Sequence, residues 1–330
     1  MQKSNRSYLR KLRYTFQWGV FCLVVYAGYK LYLFIEHFTS GTALIQRPPL
    51  VDGFLPIGAL MSLKLWIIEG VFDSIHPASL VIFLSALIVS LLLRKSFCGW
   101  LCPVGTLSEA VFKAGKRLFG KNYKLSSYID YPLRSVKYIL LGFFLYVAGK
   151  MSSTAIEGFL NTFYWKVADI KMLKFFTEMS ALTFTVLLGL LVLSLFLKNF
   201  WCRYLCPYGA LLGILSLLSP LKITRNDEAC THCHLCTKNC PSHLPIEEKQ
   251  RLKSPECTGC LTCVSVCPSK GALDISLHRK PVNPLIYTAL IVVVFFGIIS
   301  IGKLTGRWHS SLTYEEYKAV IPVISELMHP

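Results

Sequence analysis

Cys230-Thr231-His232-Cys233-His234-Leu235-Cys236-Thr237-Lys238-Asn239-Cys240-Pro241 and Cys257-Thr258-Gly259-Cys260-Leu261-Thr262-Cys263-Val264-Ser265-Val266-Cys267-Pro268 obey one rule twice, C-x2-C-x2-C-x3-C-P. Three thiols two residues apart let a short loop wrap one face of a [4Fe–4S] cubane. The fourth, beyond the loop, has moved on with the chain and in two-cluster proteins ligates the other cluster. That reading crosses the ligands. Cys230, Cys233 and Cys236 go with Cys267, while Cys257, Cys260 and Cys263 go with Cys240, and Pro241 and Pro268 turn the chain away. The competing reading, a pair of structural zinc sites, expects two C-x2-C pairs separated by a long spacer, which this is not. His232, His234 and His243 are read as solvated loop residues, because cysteines already fill the ligand count.

Outward from this run the composition changes. Residues 226–280 are polar, and the spacing makes them a small α+β ferredoxin-like 2[4Fe–4S] domain. The rest is apolar enough to lift the whole 330-residue chain to 53% hydrophobic residues and a mean hydropathy of +0.50. An ordinary soluble domain does not reach that excess; several membrane spans do. The net charge of +17 comes with no nucleic-acid recognition motif, so it is assigned to basic loops beside anionic lipid and not to a nucleic-acid partner. Of 13 cysteines, 12 lie in tight clusters, which points to metal in a reducing compartment rather than to a disulfide framework. Cys22, alone in an apolar run, is expected to be a small buried residue.

Five apolar runs, about Tyr14–Phe34, Pro77–Leu93, Ser135–Gly149, Ala181–Leu197 and Leu285–Ile301, predict an α-helical membrane protein of about five transmembrane helices. The first follows a basic head and reads as an uncleaved signal anchor. Ala59–Phe72 and Leu211–Leu218 are too short to span. With the N-terminus inside, the inner segments carry 25 Lys and Arg and the outer ones 9. The asymmetry predicts a multi-pass membrane protein with the N-terminus and ferredoxin module cytoplasmic and the C-terminus outside. The expected segments are 1–93, a first transmembrane repeat; 94–134, a cytoplasmic loop; 135–225, a second repeat; 226–280, the ferredoxin domain; and 281–330, a last helix and outer tail.

The second and fourth runs end alike, in Cys98-Gly99-Trp100-Leu101-Cys102-Pro103-Val104-Gly105 and Cys202-Arg203-Tyr204-Leu205-Cys206-Pro207-Tyr208-Gly209. Each pair has i, i+4 spacing, which puts both sulfurs on one side of a helical turn. Two parallel two-helix repeats would face the pairs toward each other, so Cys98, Cys102, Cys202 and Cys206 are a candidate third redox or metal site. Packed thiols, or redox pairs without metal, are the alternatives. His37 and His76 on the outer side, and Glu157, Asp169 and Glu178 in the second outer loop, could serve as proton-handling groups but are read as ordinary interfacial or solvated residues. Neither a nucleotide-binding glycine loop nor a haem-attachment motif occurs.

The two C-x3-C-P motifs at Cys98–Pro103 and Cys202–Pro207, followed by the double run at Cys230–Cys267, resemble the polyferredoxin-type membrane proteins over roughly residues 75–275. That group includes the membrane quinol-dehydrogenase subunit of periplasmic nitrate reductase systems, the membrane part of the nitrous-oxide-reductase regulator and the cytochrome-oxidase assembly proteins of the CcoG type. The resemblance implies electron transfer between quinol, or a cytoplasmic donor, and redox partner proteins. Two alternatives stand behind it, a metal-ion or cofactor-assembly reductase and a redox-sensing regulator. At 330 residues the chain is expected to be without the flavin-bearing periplasmic domain of the regulator and the terminal domain of the CcoG type. It also continues past the ferredoxin run into a fifth apolar run.

Overall fold

A run of Leu, Ile, Val and Phe can satisfy its backbone in lipid only by bonding within itself. All five apolar runs are helical, in Gln2–Ser40, Pro77–Leu93, Ser127–Lys150, Ala181–Phe196 and Pro284–Leu304, with only Leu197 of the fourth run left outside its helix. Proline opens several helices, including Pro56–Glu69, Pro103–Phe119 and Pro207–Leu218, where its missing N–H would have lacked a partner anyway. The computed structural model describes residues 2–120, 123, 125–278, 280–322 and 324. The end of the expected outer tail, 325–330, lies outside the described residues, as does Lys121 in the expected cytoplasmic loop.

Tyr8–Ser40 and Pro284–Leu304 are each long and apolar enough to cross a membrane. Two sharply bent pairs raise the number to four when each pair counts as one span: Tyr128–Lys150 with Ser153–Leu160, at 104°, and Ala168–Thr177 with Ala181–Phe196, at 77°. The run expected as the second span, Pro77–Leu93, is apolar and has 17 residues, at the short end of what a bilayer requires. Ile139, Phe143, Leu182, Phe184 and Val293 point large apolar side chains outward, as a lipid-facing surface would. Cys22 is also exposed, against expectation; it sits on an outward face of its helix rather than in a core.

The chain divides into two units. The first comprises Met1–Phe21, Ala86–Leu141 and Leu188–Phe296. Its ferredoxin part is a three-stranded antiparallel sheet, β1 (Leu221–Arg225), β2 (Leu273–Leu277) and β3 (Lys280–Pro281), in the order β1-β2-β3. Ile223 pairs with Ile275, so the strands just before and just after the double cysteine run close on each other. β1 lies inside the segment assigned from sequence to the second repeat. Between the strands the two cysteine loops repeat each other. His232 and Gly259 are both left-handed (φ 51° and 57°), and so are His234 and Leu261 (φ 58° and 54°). A short helix follows each loop, Leu235–Asn239 and Thr262–Val266, and the fourth cysteine ends each helix in extended backbone.

The second unit comprises Cys22–Ser85, Gly142–Leu187 and Gly297–Pro330. One of its apolar clusters gathers Leu31, Phe34, Ile170, Tyr317 and Ile321; another gathers Leu65, Ile75, Ile156, Leu160 and Trp165.

Candidate functional site

The eight cysteines of the double run line two cavities. One is bordered by Cys240, Cys257, Cys260 and Cys263. The other is bordered by Cys230, Cys233, Cys236 and Cys267. In each, three thiols come from one loop and the fourth from the end of the other loop's helix. Left-handed backbone at the third and fifth residue of each loop produces this: it coils the chain so that the three thiols turn to one side. Histidine tolerates that conformation better than most non-glycine residues, which accounts for His232 and His234. Their side chains are exposed, as read from sequence, and His234 pairs with Glu247.

The donor set, four thiols to each cavity at ferredoxin spacing, suits a cubane. Burial pushes Cys240 up to about 12 and Cys263 well above the ordinary thiol range, with neighbouring thiols adding to the effect. Such thiols are neutral until a positive centre compensates their charge.

Cys98, Cys102, Cys202 and Cys206 also come together. The short helix Ser96–Trp100 carries Cys98 and the single π-turn Trp201–Leu205 carries Cys202; Cys102 and Cys206 follow in extended backbone rather than on the same helical turn, each just before a proline that starts a new helix. Burial, then repulsion from the other thiols, drives Cys202 well above its usual value. Cys98 is held at about 12, mainly by burial, and Cys102 at about 11. Lys95 stands beside them: a Cβ on Gly209 would lie 3.6 Å from its Nζ and 3.5 Å from Cys206 Sγ. Burial alone would lower Lys95, but Cys98, Glu256, Cys206 and Cys202 outweigh it and raise its pKa.

The Leu252–Cys260 stretch is seated directly on this cysteine face. Arg94, fully buried, donates to Leu252 O and Ser254 O, both at 3.0 Å. Trp100 Nε1 donates to Gly259 O at 3.1 Å, and Lys137 Nζ reaches both oxygens of Glu256, at 2.6 and 2.7 Å. Tyr138 donates to the same carboxylate at 3.0 Å. Gly99 lies against Thr258 and Cys260, and Gln17 Nε2 donates to Gly99 O at 3.1 Å. The sequence does not single out Lys95, Arg94, Lys137 or Glu256, because basic residues flanking an apolar run read as topology signals. The one available signal is Glu256 immediately before Cys257.

A second polar site lies within the other unit. Arg47 pairs with Asp52 and, at 2.8 Å, with Asp169; His76 Nδ1 is 3.0 Å from Asp52, and its Nε2 2.7 Å from Trp165 O. All four side chains are buried. His76 and Asp169 are thus internal groups rather than the interfacial and solvated residues expected, because each meets an opposite charge that the sequence does not reveal as near. Burial works against the charged His76, but Asp52 and Asp169 outweigh it and raise its pKa. Arg47 also borders a cavity of about 470 Å³ whose other lining residues include Phe34, Phe38, His309, Tyr314 and Tyr317.

Residues 75–122 and again 180–226 match the family described as "4Fe-4S binding domain", and 222–268 match the "4Fe-4S dicluster domain". The two segments of the first match each contain one C-x3-C-P motif. Over 314 residues the chain is 41% identical to YccM of Escherichia coli (strain K12), whose name gives it electron transport as a candidate role; the match covers 92% of this chain and 88% of that one. It is 27% identical over 222 residues to the ferredoxin-type protein NapH of Haemophilus influenzae, covering 66% and 67% of the two chains. It is 33% identical over 150 residues to the regulatory protein NosR of Stutzerimonas stutzeri, covering 44% and 20%. No solved structure matches. The chain belongs to the ferredoxin-type 4Fe–4S electron-transport membrane proteins.

Proposed function

We propose that the chain is a multi-pass protein of the bacterial cytoplasmic membrane that passes electrons between quinol, or a cytoplasmic donor, and a partner reductase. The observation that carries this reading is the crossed grouping of eight cysteines on two cavities. Cys230, Cys233, Cys236 and Cys267 would hold one [4Fe–4S] cluster; Cys257, Cys260, Cys263 and Cys240 would hold the other. Bound there, each cluster supplies one-electron chemistry. Cys98, Cys102, Cys202 and Cys206 would hold a third centre, a reading supported by the two family matches that contain them. The protein's own part is to hold the thiols, to keep water from Cys240, Cys257 and Cys263, which are buried, and to leave the Cys233 loop exposed for a soluble partner.

Quinol as donor is supported by the aromatic-lined cavity beside Arg47, whose neighbours Asp52 and His76 are groups able to hold protons. The basic asymmetry of the loops supports five spans, with the N-terminus and ferredoxin module inside and the C-terminus outside. A redox-sensing regulator is the second reading, supported by the likeness to NosR, a regulatory protein by name.

Anaerobic purification with iron and sulfide counting and EPR tests the proposal. The ferredoxin module is expected to carry about eight irons. Cys233→Ser should remove one cluster and weaken its neighbour, because the ligand sets interlock. Bound zinc without iron in anaerobic material would overturn the assignment.

A further inference from the structure

Two of the proposed centres meet at a single residue. Gly99 follows Cys98, a ligand candidate of the membrane-face centre. A Cβ added there would lie 2.7 Å from Thr258 O and 3.4 Å from the Cβ of Cys260, a ligand candidate of the neighbouring cavity. No side chain fits between the two chains. Interactions on both sides maintain the approach. Gln17 holds the Gly99 carbonyl, Trp100 holds Gly259 O, and Arg94 holds the carbonyls of Leu252 and Ser254. Arg13 reaches Thr262, two residues beyond Cys260, at 2.7 Å.

We propose that the Gly99–Thr258/Cys260 contact is the electron handover between the membrane-face centre and the Cys257-loop centre, and that Gly99 is the positioning residue that sets their separation. The proposal rests on the reading that Cys98, Cys102, Cys202 and Cys206 hold a redox centre. It orders the three sites in a line: membrane face, then the Cys257 loop, then the Cys230 loop, where Cys233 is exposed and the line reaches solvent. The step is the movement of one electron: one centre is oxidised and the other reduced, and no bond or proton changes place. Tunnelling falls off exponentially with separation, so a methyl group that lifts the 258–260 backbone slows the step without removing a ligand.

The test compares anaerobically purified Gly99→Ala, Gly213→Ala and Gly19→Ala with the native protein. Gly213 faces Pro255 O, where its Cβ would lie at 2.7 Å, so alanine there lifts the same stretch from a second point; Gly19 has open space around it. Iron content, magnetic coupling between the centres by pulsed EPR, and reduction of the ferredoxin centres through the membrane-face centre are measured. With the membrane-face centre taken as a third [4Fe–4S] cluster, the native protein and all three variants should contain about twelve irons. Gly99→Ala and Gly213→Ala should show weakened coupling and several-fold slower transfer, and Gly19→Ala neither. About twelve irons with unchanged coupling and rate in Gly99→Ala would overturn the handover alone. About eight irons in the native protein would overturn the membrane-face centre and the handover with it.

Discussion

A buried thiol is a poor anion, and four of them side by side are worse. Cys98 and Cys202 therefore make sense in this setting either as neutral packing groups or as ligands whose charge a metal offsets, and substitution distinguishes the two. Residues that act as one unit lose nearly everything at the first change, so Cys98→Ser, Cys202→Ser and the double variant should lose quinol-to-partner electron transfer to a similar extent, with the ferredoxin signals retained. Small additive stability losses with full activity in the double variant would return these residues to packing. His76 makes a separate, pH-dependent contribution. Its pKa is raised in the fold by Asp52 and Asp169 against the opposing effects of burial and Arg47. Its stabilisation should thus be complete below about pH 6.5, the ordinary histidine value, and fade as pH rises through the raised one. Thermal unfolding of native and His76→Gln protein in detergent should show a stability gap that narrows from pH 5 to pH 9. A constant gap would mean that His76 does not titrate there.

Between elements, the Ser127–Lys150 helix is fastened to the Cys257 loop by the buried Lys137–Glu256 pair. Removing one member of a buried pair strands the other and typically costs about 3–5 kcal/mol, whereas replacing both by apolar groups can be nearly neutral. Lys137→Met should lower the unfolding midpoint and loosen the cofactor absorbance. Lys137→Met with Glu256→Met should recover much of the midpoint, and equal losses in the single and double variants would argue against a coupled pair. The elements themselves were largely readable, because period and composition report local structure: every apolar run became a helix, and the double cysteine run specified its own loops. What could not be read was partnership. Arg94, Lys137 and Glu256 look like solvated charges in sequence, and β1 looks like the end of a helical repeat, because the residues that bury or pair them lie dozens of positions away.

For the whole chain, the proposed five-span topology rests on the 25-to-9 distribution of basic residues counted over those spans. Reporter fusions after Lys280 should signal the cytoplasm, and fusions near Gly158 the outside. Cytoplasmic signal near Gly158 would mean that the span count is wrong. The grouping of the candidate sites was legible to different depths. The crossed thiol sets follow from spacing alone, and the meeting of the two C-x3-C-P pairs follows from their repetition. The Arg47–Asp52–His76–Asp169 network had no sequence signal, since single polar residues next to apolar runs usually face water.

The seating of the Leu252–Cys260 stretch on the cysteine face also has a consequence in time. A ribosome makes Cys98 and Cys102 first, Cys202 and Cys206 much later, and the covering stretch later still. The four membrane-face thiols cannot meet until Cys206 has emerged, and the side that Thr258 and Cys260 cover stays open until those residues follow. Whatever occupies that innermost place by this side arrives while the chain is still being born, or else waits for the finished protein to lift its own loop.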